Sequence, residues 1–350
     1  MLKRLLVSLA LLSLLAGLRA ADNPATPFRA MLDRYYEDYL ALFPIEAAIN
    51  GDNDHRYEAV WPNTISVEHR TKVAAMCERY LADLARVDRA ALSTTDQLSY
   101  DTLKWNLGLR REGAAQLFHL LPVNQFNCDT LTFAQMGSGT FIHPFKTAQD
   151  YDNFLRRAAD FSAWVDTAIA NMRHGAAWGI VQPRTLMERV LPQLEPLMSE
   201  DEQKNTFFGP LKNLPASLSA ADQAKLASEY RAGIRAIILP AYARLHDFIR
   251  DEYLKNCRAT AGLGALPGGK EAYAYAVRLQ TTTALTPEQI HEIGLREVAR
   301  LSTRWTKCVS RSGSRARSAS SCNSSPPTRN SRPTRPRRKC SPTTAPSKRA

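Results

Sequence analysis

The stretch Thr147–Gly175, TAQDYDNFLRRAADFSAWVDTAIANMRHG, decides the fold class. Phe154, Leu155, Phe161, Trp164, Val165, Ile169 and Met172 recur at three- and four-residue spacing, which stacks them on one side of a helix. Thr147, three residues before Asp150, has the side chain and spacing of an N-terminal cap. Gly175 stands where a helix stops best on a left-handed residue. The predicted product is one long helix with a broad apolar stripe.

The same signals recur on both sides. Thr26-Pro27 opens a helix carrying Phe28, Met31, Leu32, Tyr35, Tyr39 and Phe43. Ser66 caps a second run through Val73, Met76, Tyr80 and Leu84, and Ser93 with Asp96 caps a third through Leu98, Leu103 and Leu107. Downstream, helices are predicted around Thr185–Met198, from Ser219 onward, and from Thr286-Pro287-Glu288 through Val298 to Leu301. Pro240 is expected to kink or divide the Ser219 helix. Leu117–Phe145, rich in Asn, Gly and Pro, reads as an irregular loop packed on the core. Tyr273, Tyr275, Val277 and Leu279 alternate on a period of two, which fits a short strand or the start of a helix. The fold class is therefore mainly α.

Both ends differ from this helical body, residues 21–301. Lys3 and Arg4, the apolar run Leu5–Leu18 and the small Ala20 form a signal peptide over residues 1–20, too short in its apolar core to remain as a spanning anchor. A periplasmic or secreted protein follows, with no stable membrane insertion after cleavage. Of the 350 residues, 46 are Lys or Arg and 34 Asp or Glu. From Ser302 onward there are 13 Lys or Arg and no acid, so the remainder carries 33 basic against 34 acidic side chains. The basicity of the chain belongs to residues 302–350, a stretch of Ser, Arg, Thr and Pro too poor in large apolar side chains to offset the entropy of ordering. It reads as a disordered basic tail. A sharper reading is an out-of-frame translation: taken from each third base, the codons permit Met-Asp-Lys-Val across Arg304–Cys308 and Ala-Asp-Tyr-Arg-Ala-Ile across Ser341–Ser347. Trp305 is the tail's single aromatic residue, which together with the export signal argues against nucleic acid as a partner.

Cys77, Cys128 and Cys257 of the body are widely spaced, without the C-x-x-C spacing of a metal site, and read as buried free thiols. Gly137-Ser138-Gly139 lacks the strand and helix of a nucleophile elbow, and Lys270 is followed by Glu271 where a phosphate-binding loop needs Ser or Thr.

Several segments together resemble the bacterial family called domain of unknown function 885, over nearly all of Asp22–Leu301. They are Phe43-Pro44-Ile45-Glu46-Ala47-Ala48, Asp96-Gln97-Leu98-Ser99-Tyr100-Asp101, Leu121-Pro122-Val123-Asn124-Gln125 and Met172-Arg173-His174-Gly175. The most specific run is Leu266-Pro267-Gly268-Gly269 through Thr281-Thr282-Thr283 to Leu285–His291 and Gly294-Leu295. The resemblance implies a helical zincin-like metallopeptidase whose full-length members carry zinc on an H-E-x-x-H-type motif in their C-terminal half. Two His four apart share a helix face and hold the metal, while the Glu polarises water. Here the nearest string is His291-Glu292-Ile293-Gly294-Leu295, with Leu295 in the second ligand's place. The expectation is an N-terminal portion of an exported zinc-dependent metallopeptidase-like protein, with no catalytic residue, no metal ligand and no cofactor of its own, and inactive alone. The alternatives are a non-catalytic helical scaffold that binds peptides, or a binder of anionic surfaces or nucleic acid through the basic tail. Gln125, Arg278 and Thr282, polar groups in family-like segments among aromatics, are the substrate-groove candidates.

Overall fold

Thr147–Gly175 forms the central helix of a helical body. The structure, a computed structural model, describes residues 25–49 and 57–311. The expected signal peptide over residues 1–20 and most of the expected disordered tail, the part beyond residue 311, lie outside the described residues. In chain order the helices are α1 (Ala25–Leu42), α2 (Pro44–Ile49), α3 (Val67–Leu84), α4 (Thr94–Ala114), α5 (Asp129–Gly137), α6 (Ala148–Ala177) and α7 (Arg184–Leu194). They continue as α8 (Ala220–Gly233), α9 (Leu239–Phe248), α10 (Leu254–Asn256), α11 (Gly269–Thr281) and α12 (Pro287–Arg311). Among the described residues there is no strand, only an isolated bridge between Pro183 and Arg258. The chain divides between Thr286 and Pro287 into two compact units.

In the first unit the caps set the helix starts. Thr147 accepts from the Asp150 amide while the Asp150 carboxylate accepts from the Thr147 amide, a complete capping box at α6. Ser66, Ser93 and Ser219 cap α3, α4 and α8 in the same three-residue reach. The α6 stripe is fully buried at Phe154, Phe161, Trp164, Val165 and Met172. Phe133 of α5 lies flat against Phe161, ring centres 4.1 Å apart, and Phe154, Phe207 and Trp61 surround it. Each such side chain taken from water contributes about 1.5–3 kcal/mol, which makes this aromatic cluster the main stabilising body of the unit. A second core joins α1, α3 and α4 through Phe28, Met31, Met76, Cys77, Tyr80 and Leu107.

Leu117–Phe145 is not loop throughout. Leu117–Leu120 makes a 3-10 turn, and the nine residues of α5 form a helix that buries Phe133 and Met136. Burial of those two side chains outweighs the poor local signal. At Gly137 a Cβ would lie 2.3 Å from the Phe207 ring, so glycine is there for close packing.

The glycine that ends α6 is not Gly175 but Gly179, at φ +71°. Ile180 N–H donates to Gly175 C=O at 2.8 Å and Gly179 N–H to Ala176 C=O at 3.2 Å, the paired bonds of a Schellman stop. Gly175 serves a different need: a Cβ there would meet the Ile180 carbonyl oxygen at 2.6 Å.

The run from Ser219 is divided near Pro240, as expected: α8 ends at Gly233, a π turn, Ile234–Ile238, follows, and α9 opens at Leu239 with the proline in its first turn. Tyr273–Leu279 lies in α11, resolving the strand alternative in favour of helix.

A polar network crosses the large core. Buried His143 donates through Nε2 to the Asp150 carbonyl at 2.9 Å and accepts at Nδ1 from the Arg157 guanidinium at 3.0 Å. Arg157 also reaches the carbonyls of Val60 and Tyr57, both at 3.1 Å. Burial and then the neighbouring Arg157 push the His143 imidazole down to about 4.

The second unit is described as α12. It continues past Leu301, where the apolar pattern stops, to Arg311. The Thr303 and Thr306 hydroxyls donate back to the Ala299 and Ser302 carbonyls, both at 2.9 Å, which satisfies these side chains within the helix. Cys77 and Cys128 are buried free thiols, as expected, and Cys257 is a half-buried one. Among the described residues no helix is long and apolar enough to cross a membrane.

Candidate functional site

The Ser66 cap that starts α3 fixes the next two side chains. Ser66 Oγ accepts from the His69 amide at 3.1 Å, which winds His69 and Arg70 into the first turn. That turn faces the C-terminus of α4, where Arg70 donates to the Ala114 carbonyl at 3.1 Å. A cation on the last carbonyl of a helix is favoured by both hydrogen bonding and the helix dipole.

The third wall is α11. Tyr275 donates to the Leu109 carbonyl at 3.2 Å and crosses α4 at Gly113, where a Cβ would sit 2.3 Å from its hydroxyl. Between α3, the end of α4 and α11 lies a cavity of about 390 Å³. Phe43, Ile65, Val73, Phe118 and Leu279 give it apolar walls, and His69, Arg70, Arg110 and His119 bring polar atoms to it.

Those polar groups are unevenly satisfied. Arg110 pairs with Glu46 at 2.8 Å and lies over the Phe43 ring at 4.4 Å. His119 bonds through Nδ1 to the Gln116 carbonyl at 2.9 Å, which makes Nδ1 the donor and leaves Nε2 an acceptor. Burial lowers the pKa of His119, and Arg70 nearby lowers it further. His69 is also lowered, chiefly by burial, and stands edge-on to Phe43. Its Nε2 and the Nε of Arg70 are buried without a hydrogen-bond partner. Unpaired buried polar atoms cost about 1–3 kcal/mol each.

None of the three groove candidates lines this cavity. Gln125 precedes α5, and its carbonyl accepts from Gln193 of α7 at 3.0 Å. Arg278 lies on α11 but pairs with Glu112 of α4. Thr282 ends α11 at φ +54°, its hydroxyl bonded to the Thr281 carbonyl at 2.8 Å. Arg278 and Thr282 thus share the helix that walls the cavity, while Gln125 belongs to a different part of the unit. His69, Arg70 and His119 carried no motif; the Ser66 cap was the one local signal placing the first two.

The family model for bacterial protein of unknown function (DUF885) matches residues 44–334. The chain belongs to the DUF885 family. Its matched span begins later than Asp22 and runs beyond Leu301. The crystal structure of "the putative lipoprotein from Colwellia psychrerythraea" is similar over 82% of this DUF885 chain at 19% identity, with a TM-score of 0.68. That likeness is one of fold. The DUF885 chain spans about half of that protein, 51% of its length. A search of curated proteins finds no match.

The zinc implied by the resemblance to metallopeptidases does not fit the donors present. On α12 the residue four after His291 is Leu295, which has no donor atom. Among the described residues no group of three His, Cys, Asp or Glu side chains is arranged to hold a metal ion.

Proposed function

We propose that this chain is the helical, peptide-binding portion of an exported metallopeptidase-like protein, acting in the periplasm or outside the cell. It holds peptide in the cavity between α3, α4 and α11 and hydrolyses nothing alone. The observation that carries this reading is a cavity with apolar walls that His69, Arg70 and His119 also line, with no carboxylate of the described residues paired to Arg70. Peptides match that mixture, since their side chains fill apolar walls while their backbone and termini supply hydrogen-bonding groups. Export is supported by the apolar run Leu5–Leu18 behind Lys3 and Arg4, and the Colwellia neighbour's description as a lipoprotein agrees with it. The out-of-frame reading of residues 302–350 belongs to the same proposal, and resequencing the gene tests it: an uninterrupted frame in independent clones removes it.

The functional test is to titrate the full chain against labelled peptides, with and without added zinc, following anisotropy and cleavage together. Saturable binding with intact peptide is expected. Absence of saturable binding refutes the reading, and cleavage with stoichiometric zinc replaces it with an enzyme.

A further inference from the structure

One cation in the cavity has no acid. Arg70 is half-buried, donates one hydrogen bond to the Ala114 carbonyl and leaves its buried Nε without an acceptor. No carboxylate of the described residues pairs with it, and burial is the single influence that moves its pKa, downward. Arg110 on the same cavity differs in every respect: Glu46 neutralises it and two aromatic rings, Tyr39 and Phe43, cover it. A guanidinium that loses water without gaining an anion is costly, so Arg70 is complementary to a carboxylate that the chain itself does not supply.

The surroundings narrow the rest of the ligand. His69 and His119 are held toward neutrality by burial, so they add hydrogen-bonding atoms without a charge that competes with Arg70. Phe43, Ile65, Val73 and Leu279 offer only hydrocarbon. An acidic side chain would satisfy the guanidinium and leave those walls unfilled; a carboxylate with an apolar side chain on the adjoining carbon satisfies both. Resting on the peptide reading of this cavity, we infer that it binds the C-terminal residue of a peptide, its free carboxylate on Arg70 and its apolar side chain against Phe43, Ile65 and Val73.

The test uses the full chain and one N-terminally labelled, alanine-rich hexapeptide ending in leucine, prepared as free acid and as C-terminal amide. The free acid is expected to bind about tenfold tighter or more, the usual size of a charge-assisted hydrogen bond in a desolvated site. In Arg70→Met the acid falls to the affinity of the amide. Should that variant not fold, judged by its helical circular dichroism, the acid-to-amide ratio on the wild-type chain decides alone. Equal binding of acid and amide to the wild type overturns this inference and leaves peptide binding standing. Binding of neither peptide removes both. Competition by N-acetyl-leucine as strong as by the hexapeptide also overturns it, by making the site one for small carboxylic acids.

Discussion

Acidification should loosen the large core through one imidazole. His143 is neutral in the fold because Nε2 donates to the Asp150 carbonyl and Nδ1 accepts from Arg157; a second proton would sit on Nδ1, facing the guanidinium. Its pKa falls from an unfolded value near 6.5 to about 4. A depressed folded value means that its contribution to stability is complete above about pH 6.5 and is lost as pH falls toward 4. Linkage between those two values puts the loss from pH 7.5 to pH 5 at about 2 kcal/mol. Urea unfolding of wild type and His143→Gln at pH 7.5, 6 and 5 measures it. Glutamine keeps a donor for Asp150 and an acceptor for Arg157 but does not titrate, so its stability should fall by about 2 kcal/mol less over that window. Equal losses in the two proteins would refute the assignment of a neutral, doubly bonded imidazole.

Three other outcomes follow from the same structure. Phe133→Ala, which empties the centre of the aromatic cluster, should cost about 3–5 kcal/mol in urea unfolding, and a cost below 1 kcal/mol would contradict its central place. Gly175→Ala should destabilise more than Gly179→Ala, because the first pushes a Cβ to 2.6 Å from the Ile180 carbonyl oxygen whereas the second meets no atom and adds only left-handed strain of about 1–2 kcal/mol; the reverse order of urea midpoints would refute those two roles. Burial raises the Asp129 carboxyl to about 6, so its contribution is complete below about 3.8 and lost as pH rises through 6; Asp129→Asn should therefore lose less stability than wild type between pH 4 and 7.5, and parallel stability curves would contradict this.

The legible parts of the fold are those governed by short reach. Ser66, Ser93, Thr147 and Ser219 each bond an amide three residues on, so the helix starts could be read from four-residue strings. The spacing of Phe154, Phe161, Trp164 and Met172 likewise marked the buried face of α6. What stayed hidden depends on distant neighbours. Helix α5 exists because Phe133 and Met136 find a core supplied by α6 and Phe207, not because its own string favours helix. Gly175 and Gly179 look alike in sequence, and the left-handed φ of Gly179 and the packing of the Ile180 carbonyl against Gly175 tell them apart. The cavity was hidden for the same reason: α11, which brings Tyr275 to Arg70 and Ala114, lies far along the chain from α3 and α4. Arg278 lies on α11, the helix that walls the cavity, and pairs with Glu112.

The most direct measurement is peptide affinity after the cavity is filled from α11. Ala276 lines the cavity, and Ala276→Trp places an indole where a bound side chain would lie. A side chain lost from such a site is worth about 1.5–3 kcal/mol, so binding should weaken about tenfold or more while the urea midpoint stays close to that of wild type. Unchanged affinity in a folded Ala276→Trp protein would place the peptide elsewhere and contradict the account.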